Sequence, residues 1–574
     1  MSFASLPLDE QLDELSRHCR AGQPAEPLLD MCADLSDPSP LSHLCRELLQ
    51  QGWLEDPANR ALLGARMVHW PEILLLKTLR GLPPHPAVEG LLRHALDQVP
   101  LDRLSSLAIL DRTLKQDYPE AYEDYLEALE ADLEDDRSLA LLPSRALPRL
   151  SPAMRERRAE LVSEAVDQLA RVPKAVSLAN AEELLSRRVY TQPGHFFFEL
   201  LQNAEDAQAR TFRVSFRPDR IEVWHDGLVF DLRDLIGVTS IGQTTKKKQQ
   251  IGFFGVGFKS VYEVTERPQI YSDVFCFEIV DVSIPRALAR PEGIPHEGTT
   301  LVLPLREPTR LEELRGIAEQ LDPCVLLTLT HLRRLEMGRV AMERLTEDDG
   351  VREIHTRDRL LRFAIDESEH RYDGPARERG RTDRTRVLVG IPLDVRGEAV
   401  PIPDGTPTVY SFLPTSEPSG LRFLLQGHFD VPVDRERINP ESAWNRWILA
   451  RVPPALGRLA GQRSLLEVLP LPGEPNGPFA DLTLPVTEEL RRVACLPGRD
   501  GLLHRPEELR WAHPDLAALE PPVPLLAEVS ERGRAVAGML GCREFTASDL
   551  ADLYEAAPPA WDDPQRWEHL FGVL

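Results

Sequence analysis

The chain is poor in cysteine and has no long apolar run. Its seven cysteines among 574 residues include no Cys-x-x-Cys pair, so neither a zinc site nor a disulfide framework is supported and reduced thiols are expected. No apolar run approaches the roughly 18 residues that a membrane span requires. The opening residues MSFASLPLD place no basic segment before an apolar one. We therefore expect a cytoplasmic protein without a membrane segment.

An excess of positive charge is also absent. Lysine and arginine number 67 against 92 aspartate and glutamate residues, which gives a formal net charge of −25. This balance argues against broad binding to nucleic acid or to an anionic membrane surface.

The length exceeds what one hydrophobic core supports, so a multidomain α+β protein is expected. Helix-spaced residues predict an all-α N-terminal domain over 1–155, and mixed helical and alternating patterns predict α/β units over 160–335 and 345–465. A proline-punctuated, mixed helical region follows over 466–574. Charge dominates between roughly 345 and 385, which predicts an exposed crossover.

The segment ELLQNAEDA, residues 199–207, predicts a helix with a polar stripe. Glu199, Asn203 and Asp206 stand at i, i+4 and i+7, so one side of the helix carries three oxygen-bearing side chains. The surrounding residues are strongly apolar, and buried carboxylates require a partner such as a metal or a cation. The alternative is the solvated face of an amphipathic helix.

A glycine-rich turn runs into an apolar, helix-compatible segment in IGFFGVGFKSVYEV, residues 251–264. Gly252, Gly255 and Gly257 permit close approach of the backbone to a ligand, and N–H groups that open a helix bind phosphate. Lys259 adds a positive charge in the first turn. The order matches neither the Walker A loop nor the Rossmann fingerprint, and a tight structural turn is the alternative.

Between these segments lies an alternating strand, RIEVWHDGLVF, residues 220–230, which ends in an acidic turn. At the strand end, Asp226 is placed to accept a hydrogen bond from an exocyclic amine. The basic segment IGQTTKKKQQ, residues 241–250, has few apolar anchors. It predicts a mobile loop, and its position before a phosphate-type glycine loop suits a lid. A solvated lysine run on the surface is the alternative.

In order and spacing these segments resemble the GHKL (Bergerat-fold) ATPases, the superfamily of Hsp90, MutL, type II topoisomerases and histidine kinases. The Glu-x-x-x-Asn-x-x-Asp-Ala box, the Asp-Gly turn, the Gly-x-x-Gly-x-Gly-Phe box and the strand GTTLVLPL, residues 298–305, follow the family's order. The details look most like the Hsp90 and sacsin-type branch. The resemblance implies that residues 160–335 form a GHKL/Hsp90-like α/β sandwich that binds and hydrolyses ATP with Mg²⁺.

The resemblance also implies roles for individual residues. Glu199 corresponds to the general base for the attacking water, and Asn203 to the residue that holds Mg²⁺ against the phosphates. Asp226 corresponds to the adenine-reading residue, and Thr299 supports the adenine end. The full set of implied nucleotide-binding residues is Asn203, Asp206, Asp226, Gly227, Gly252, Gly255, Val256, Gly257, Phe258, Lys259 and Thr299.

One departure from the family concerns the turn that reads the base. Hsp90-like turns read Asp-x-Gly-x-Gly, and aligning the first glycine puts His225 on the adenine-reading position and Val229 on the second glycine. Asp226 remains our prediction, because a one-residue shift at a strand end is small. A histidine accepts from an amine only when it is neutral and in the right tautomer.

A later run, FDVPVDRERI at residues 429–438, resembles the Hsp90 middle-domain loop but is two residues shorter. The resemblance implies that residues 345–465 form a transducer-like α/β domain. Its Arg435, with Arg437 as the reserve, would reach the γ-phosphate, where a planar cation stabilises developing charge. A surface ion-pair cluster is the alternative.

The resemblance implies a conformational-switch ATPase of the Hsp90/sacsin-like type. Lid closure would drive chaperone-like remodelling of a protein client, or a stress or defence response. The partner would be a client or a partner subunit, and a homodimer is possible by analogy with Hsp90. The alternatives are a nucleotide-gated interaction scaffold with little turnover and, disfavoured by the acidic balance, a DNA-repair or kinase relative.

Overall fold

The computed structural model describes two compact units, Met1–Ala318 and Glu319–Leu574. Helices and strands occur in both, so the protein is a multidomain α+β protein, as its length and patterns predict. The four boundaries given above stay a prediction. The described residues are 3, 6–21, 23–33, 37, 39–70, 72–100, 103–171, 194–239, 257–345, 350–374, 383–431, 437–556 and 564–573.

The first part of the first unit is helical. Its helices are α1 (Leu8–Arg20), α2 (Ala25–Ala33), α3 (Ser39–Gln50), α4 (Pro57–Met67), α5 (Glu72–Gly81), α6 (Pro86–Gln98), α7 (Leu104–Asp117), α8 (Pro119–Ala131), α9 (Asp136–Leu141) and α10 (Pro152–Arg171). Apolar residues at helical spacing form the buried faces, as with Val88, Leu91 and Leu92 of α6. Capping side chains mark helix starts, since Asp56 accepts the Ala58 N–H ahead of α4.

The rest of this unit combines an antiparallel sheet with helices. The strands are β1 (Thr211–Arg217), β2 (Arg220–His225), β3 (Gln269–Ser272), β4 (Phe275–Val280), β5 (Ile284–Ala287) and β6 (Thr299–Pro304). Within the unit they pair in the order β1-β2-β6-β3-β4-β5. The other elements are α11 (His195–Asp206), α12 (Leu232–Thr239), a 3₁₀ helix at Gly257–Glu263 and α13 (Leu311–Glu319). Helix α10 packs on β4 and β5, where the buried Arg158 donates to Asp273 Oδ2 at 2.8 Å.

The second unit also contains a run of paired strands. The strands are β7 (Arg334–Met337), β8 (Val340–Leu345), β9 (Val351–Thr356), β10 (Leu360–Arg371), β11 (Arg384–Leu393), β12 (Val409–Ser411), β13 (Leu413–Pro414) and β14 (Leu424–Gln426). They pair in the order β7-β8-β9-β10-β11-β14-β12-β13. The β12 and β14 strands are parallel.

Helices and two short strand pairs complete the second unit. The helices are α14 (Val325–Thr328), α15 (Ala443–Leu449), α16 (Val452–Ala460), α17 (Thr483–Leu490), α18 (Pro514–Ala517), α19 (Glu531–Leu540), α20 (Ala547–Ala556) and α21 (Pro564–Val573). The pairs join β15 (Leu496–Pro497) to β16 (Leu503–His504) and β17 (Arg510–Ala512) to β18 (Arg543–Phe545). One buried core contains residues from Ala364 to Cys542.

The prediction of an exposed crossover between roughly 345 and 385 is wrong, because β9 and β10 lie there. Their charged residues form ion pairs between neighbouring strands. Arg362 Nε lies 2.9 Å from Glu353 Oε1 across β9 and β10, and Arg386 Nη1 lies 2.9 Å from Glu367 Oε1 across β10 and β11. Opposite charges on facing strand positions stabilise a sheet, so a charge-rich segment can be a strand.

Cysteine chemistry and membrane insertion can be addressed for the described part of the chain. All seven cysteines lie there as free thiols, and all except Cys276 are buried. Burial raises the pKa of the Cys32 and Cys45 thiols to about 12. Across the described ranges, no helix combines the length and apolar character needed to cross a membrane.

Candidate functional site

Helix α11 carries the predicted polar stripe. Its helical geometry puts Glu199, Asn203 and Asp206 on one side. Glu199 is only 8% exposed, and Asn203 and Asp206 are half-buried. The other faces pack into the core through Phe196, Phe197, Leu200 and Leu201. A stripe with a buried carboxylate is not a fully solvated face, so it requires compensating contacts.

The carboxylate of Glu199 contacts a histidine one turn earlier. His195 Nε2 lies 3.3 Å from Glu199 Oε1, and both side chains are mostly buried. A carboxylate held next to an imidazole in this way can accept a proton from a bound water. Helix α11 thus provides a proton acceptor beside oxygen ligands.

The start of α11 is fixed to the 3₁₀ helix Gly257–Glu263. Gly194 precedes α11 with φ +80°, and a Cβ there would lie 2.6 Å from Ile317 Cγ2. The Gly194 N–H donates to Glu263 Oε1 at 3.2 Å. Burial raises the pKa of Glu263. The segment that follows the predicted glycine loop therefore lies against the helix that carries Glu199.

The predicted phosphate-binding residues are described only in part. Gly252, Gly255, Val256 and the lid segment 241–250 lie outside the described residues. Gly257 opens the 3₁₀ helix, and Phe258 is half-buried.

Lys259 lies in the same 3₁₀ helix and is 4% exposed. Its Nζ donates to Val238 O at 2.8 Å and to Val282 O. The ammonium therefore joins the end of α12 to the turn after β4. A phosphate contact of Lys259 stays a prediction.

The acidic turn is attached to the other end of α11. Leu228 N–H donates to Ala207 O at 2.7 Å. Asp226 is exposed, and its Oδ1 accepts the N–H groups of Arg210 at 2.7 Å and Thr211 at 2.8 Å. The Asp226 carboxylate therefore holds the connection between α11 and β1. Its predicted contact with an exocyclic amine is not tested by these bonds.

Two glycines permit close backbone contacts at this turn. A Cβ on Gly227 would lie 2.6 Å from Ala207 O, and one on Gly298 would lie 2.0 Å from His225 O. Gly298 also has φ +71°, in the region that favours glycine. Only glycine allows the chain to pass this close at both points.

His225 lies directly opposite Thr299 in the sheet, and Thr299 lies opposite Ser272. Residues opposite one another on neighbouring strands project to the same face. The Thr299 and Ser272 hydroxyl oxygens are 2.6 Å apart, and Ser272 Oγ accepts the Phe230 N–H at 2.8 Å. Asp226 follows the end of β2, and its carboxylate is bonded instead to the N–H groups of Arg210 and Thr211. His225, Thr299 and Ser272 form a polar row, called the 225–299–272 row below.

His225 is buried and neutral. It is 5% exposed, and burial lowers the pKa of its imidazole to about 4. The Gly227 N–H donates to its Nδ1 at 3.3 Å. A nitrogen that accepts carries no proton, so the proton of the neutral ring is on Nε2.

In the second unit, one buried asparagine bonds to the backbone at both ends of the segment Asp430–Asn439, where the predicted arginines lie in the sequence. Asn445, 1% exposed, donates from Nδ2 to Asp430 O at 3.0 Å and to Asn439 O at 2.9 Å, and its Oδ1 accepts the Asp430 N–H at 2.7 Å. Arg437 is exposed, and Arg435 lies outside the described residues.

The chemistry of the donors on α11 suits magnesium. Mg²⁺ prefers oxygen ligands and usually takes one or two protein ligands beside waters and phosphates. Asn203 and Asp206 offer such oxygens on a half-buried stripe. Within the described ranges, no group of three or more His, Cys, Asp or Glu side chains forms a metal cluster.

The sequence did not reveal Ser272, Glu263 and Gln202 as site residues. Ser272 and Glu263 form hydrogen bonds with residues far away in the sequence, Thr299 and Gly194. Only strand pairing and packing reveal these contacts. Gln202 lies on α11, is 1% exposed, and its amide has no hydrogen-bond partner within the described chain. Gln202 stands between Leu201 and Asn203, and no local pattern distinguishes it there.

Comparison with known proteins relates parts of the chain to two large proteins. In an alignment 380 residues long it is 26% identical to Protein NO VEIN of Arabidopsis thaliana, and the match covers 56% of this chain and 14% of that protein. It is 33% identical to human sacsin over 106 residues, 15% of this chain and 2% of sacsin. The chain thus spans a small part of each relative. No protein-family model matches it.

Proposed function

We propose that the first unit binds a magnesium nucleoside triphosphate, ATP in the first instance, and hydrolyses it as a GHKL ATPase of the Hsp90/sacsin-like branch. The observation that carries this proposal is the bond from Leu228 N–H to Ala207 O at 2.7 Å. It holds the turn at 225–227 beside the end of α11, which carries Glu199 and Asn203. The partial similarity to sacsin supports the same assignment.

Each residue of the stripe has a proposed role. Asn203 would hold Mg²⁺, which when bound neutralises the charge of the phosphates. Glu199 accepts the proton of the attacking water as the water oxygen bonds to the γ-phosphorus and the bond to the leaving oxygen breaks. Its buried position next to His195 supports this role. The role of Arg435 is proposed from the sequence alone.

The output is proposed to be conformational. Chaperone-like remodelling of a protein client, or a regulatory switch in a stress or defence response, would follow nucleotide-dependent movement. A client, a partner subunit or a second copy of the chain is the proposed partner, and a cytoplasmic location is part of the proposal. This chain matches only a small part of each of two long proteins. Such a match is compatible with a module that acts on other domains or partner proteins.

A nucleotide-gated scaffold is the second candidate. Glu199 already contacts His195 at 3.3 Å, and a carboxylate engaged with a neighbouring side chain must leave that contact before it reaches a water. Such a site would bind the nucleotide, change conformation and turn it over slowly. The two candidates therefore differ in the rate of ATP hydrolysis.

The test compares the full chain with Glu199→Ala. Phosphate release and calorimetric binding are measured with Mg·ATP. The ATPase proposal predicts that the variant loses about 10²- to 10⁴-fold in turnover while ATP still binds. Glu164→Ala, at an exposed position of α10, is the matched control and is expected to behave as wild type.

Two results would decide against the proposal. Equal phosphate release by wild type and Glu199→Ala would establish the scaffold. Absence of any binding heat with ATP, ADP or another purine nucleotide would remove nucleotide binding altogether.

A further inference from the structure

We propose that His225 reads the purine base by donating a hydrogen bond from Nε2–H, so that the site prefers a base with a 6-oxo group over one with a 6-amino group. This inference rests on the proposed nucleotide site and specifies its base. A carboxylate at this position would accept a hydrogen bond from the base, whereas His225 donates one.

The position of His225 supports a binding role. It is the last residue of β2 and lies opposite Thr299, the first residue of β6. Thr299 and Ser272 are fully buried, and Phe212, opposite His225 on β1, is fully buried as well. The 225–299–272 row therefore offers polar atoms at one end of an otherwise apolar sheet face, next to the turn that contacts α11.

The direction of the hydrogen bond is fixed by the backbone. The Gly227 N–H can only donate, and it donates to Nδ1 of His225. The ring is neutral because burial depresses its pKa to about 4, so Nε2 carries the proton. That group has no hydrogen-bond partner among the described residues, although the ring is 5% exposed. A ligand atom that accepts would therefore give this donor a partner.

The neighbouring groups do not reverse this preference. The hydroxyls of Ser272 and Thr299 can each donate or accept, so they adapt to either base. The one carboxylate of the turn, Asp226, has its Oδ1 bonded to two backbone N–H groups. In this row, only His225 Nε2–H has a fixed direction, because it can only donate. It would meet another donor in a 6-amino group, and an acceptor in a 6-oxo group.

The test is calorimetry on the full chain with Mg²⁺, using ADP and IDP as probes. These two diphosphates share the ribose and the phosphates and differ in the base at the purine 6-position, with the matching change at N1. IDP is expected to bind about tenfold more tightly than ADP, equivalent to about 1.4 kcal/mol. ADP still binds through its phosphates.

Two variants locate the effect. His225→Asp replaces the donor by an acceptor and is expected to reverse the order, so that ADP binds more tightly. His296→Asp, the same change at an exposed position, is expected to keep the order of wild type. The wild-type comparison needs no variant, so it decides the question even where the His225→Asp variant does not fold.

Results that contradict the base preference differ from results that contradict nucleotide binding itself. Tighter binding of ADP than of IDP by wild type would remove the inference and leave the nucleotide site standing. The same holds if Asp226→Asn, and not His225→Asp, changes the order, because the carboxylate would then read the base. Absence of binding by both nucleotides would remove the site itself.

Discussion

Arg233 and Asp111 form a buried ion pair between α12 and α7. Arg233 Nε lies 2.7 Å from Asp111 Oδ1, and each side chain is 4% exposed. Arg233 Nη1 also donates to Leu141 O at 2.9 Å, and the Tyr122 hydroxyl donates to Asp111 Oδ2 at 3.2 Å. The helical N-terminal part of the first unit is thereby attached to α12, the helix that directly precedes the predicted lid segment in the sequence.

Removing one member of this pair should destabilise the first unit strongly. Asp111→Ala removes the nearer carboxylate from the buried guanidinium of Arg233, which keeps Asp231 Oδ2 at 3.5 Å, and such a loss costs about 3 kcal/mol. Urea unfolding monitored by circular dichroism measures the change. Arg157→Ala, which breaks an exposed pair with Asp136, is the matched control and should shift the curve little. Equal shifts in the two variants would contradict this account.

Asp234, in the first turn of α12, should make stability depend on pH. Burial and the neighbouring Asp231 raise its pKa to about 7, whereas the unfolded side chain titrates near 3.9. Between these values the folded state holds a proton that the unfolded state releases, so the contribution of Asp234 falls as pH rises from about 4 to about 7.

The variant Asp234→Asn isolates this effect, since an amide imitates the protonated acid. It should match wild type near pH 4 and exceed it at pH 8 by about 4 kcal/mol. Unfolding in urea at both pH values measures the difference. His225 has the opposite dependence, because its folded pKa of about 4 lies below its usual value. It is present in both chains, so it cancels. A constant difference across the pH range would contradict the assignment.

Gly298 offers a test of the close approach at the base end of the site. Gly298→Ala would place a Cβ 2.0 Å from His225 O at φ +71°, so backbone must move. We expect a loss of about 3 kcal/mol or more, together with weakened ADP and IDP binding. Gly293→Ala is the matched control, because it has φ +90° with nothing within 4 Å of the added Cβ. It should cost about 1 kcal/mol.

Unfolding midpoints and calorimetry on the same two variants check this prediction. If Gly298→Ala costs no more than Gly293→Ala, the contact with His225 O does not constrain the turn. If both bind nucleotide as wild type does, the 225–299–272 row does not form the base end.

Local patterns in the sequence were enough to predict several elements of the site. The dense apolar spacing around Glu199 predicts α11, and the alternation that ends at His225 predicts β2. The late strand from Thr299 is equally clear, because its residues are nearly all buried. A period of 3.6 residues decides the helix and a period of 2 the strand β2, whereas β6 is a short continuous apolar run.

Long-range pairing is what the sequence could not provide. Only the register of β2 and β6 shows that His225, and not Asp226, lies opposite Thr299. Arg233 and Asp111 are 122 residues apart, and no local pattern connects them. The charged strands β9 and β10 were mistaken for an exposed crossover because their stabilising ion pairs join different strands.

In the second unit, Asn445 should control the segment between Asp430 and Asn439. Its buried amide makes three hydrogen bonds to the backbone of these two residues. Asn445→Ala removes these three hydrogen bonds, at about 0.5 to 1.5 kcal/mol each, while Asp430 O keeps the Asn439 N–H at 3.3 Å. Urea unfolding of the full chain should therefore show a clear loss of stability.

The matched control is Asn439→Ala, because the Asn439 side chain is exposed and accepts one N–H, from Glu441, at 3.0 Å. It should change stability much less. If the segment also supplies Arg435 to the reaction, Asn445→Ala will lower kcat for Mg·ATP more than it changes KM, since a cation that acts on developing charge is felt in the transition state. Loss of stability with unchanged kcat would restrict Asn445 to a structural role and would separate Arg435 from catalysis.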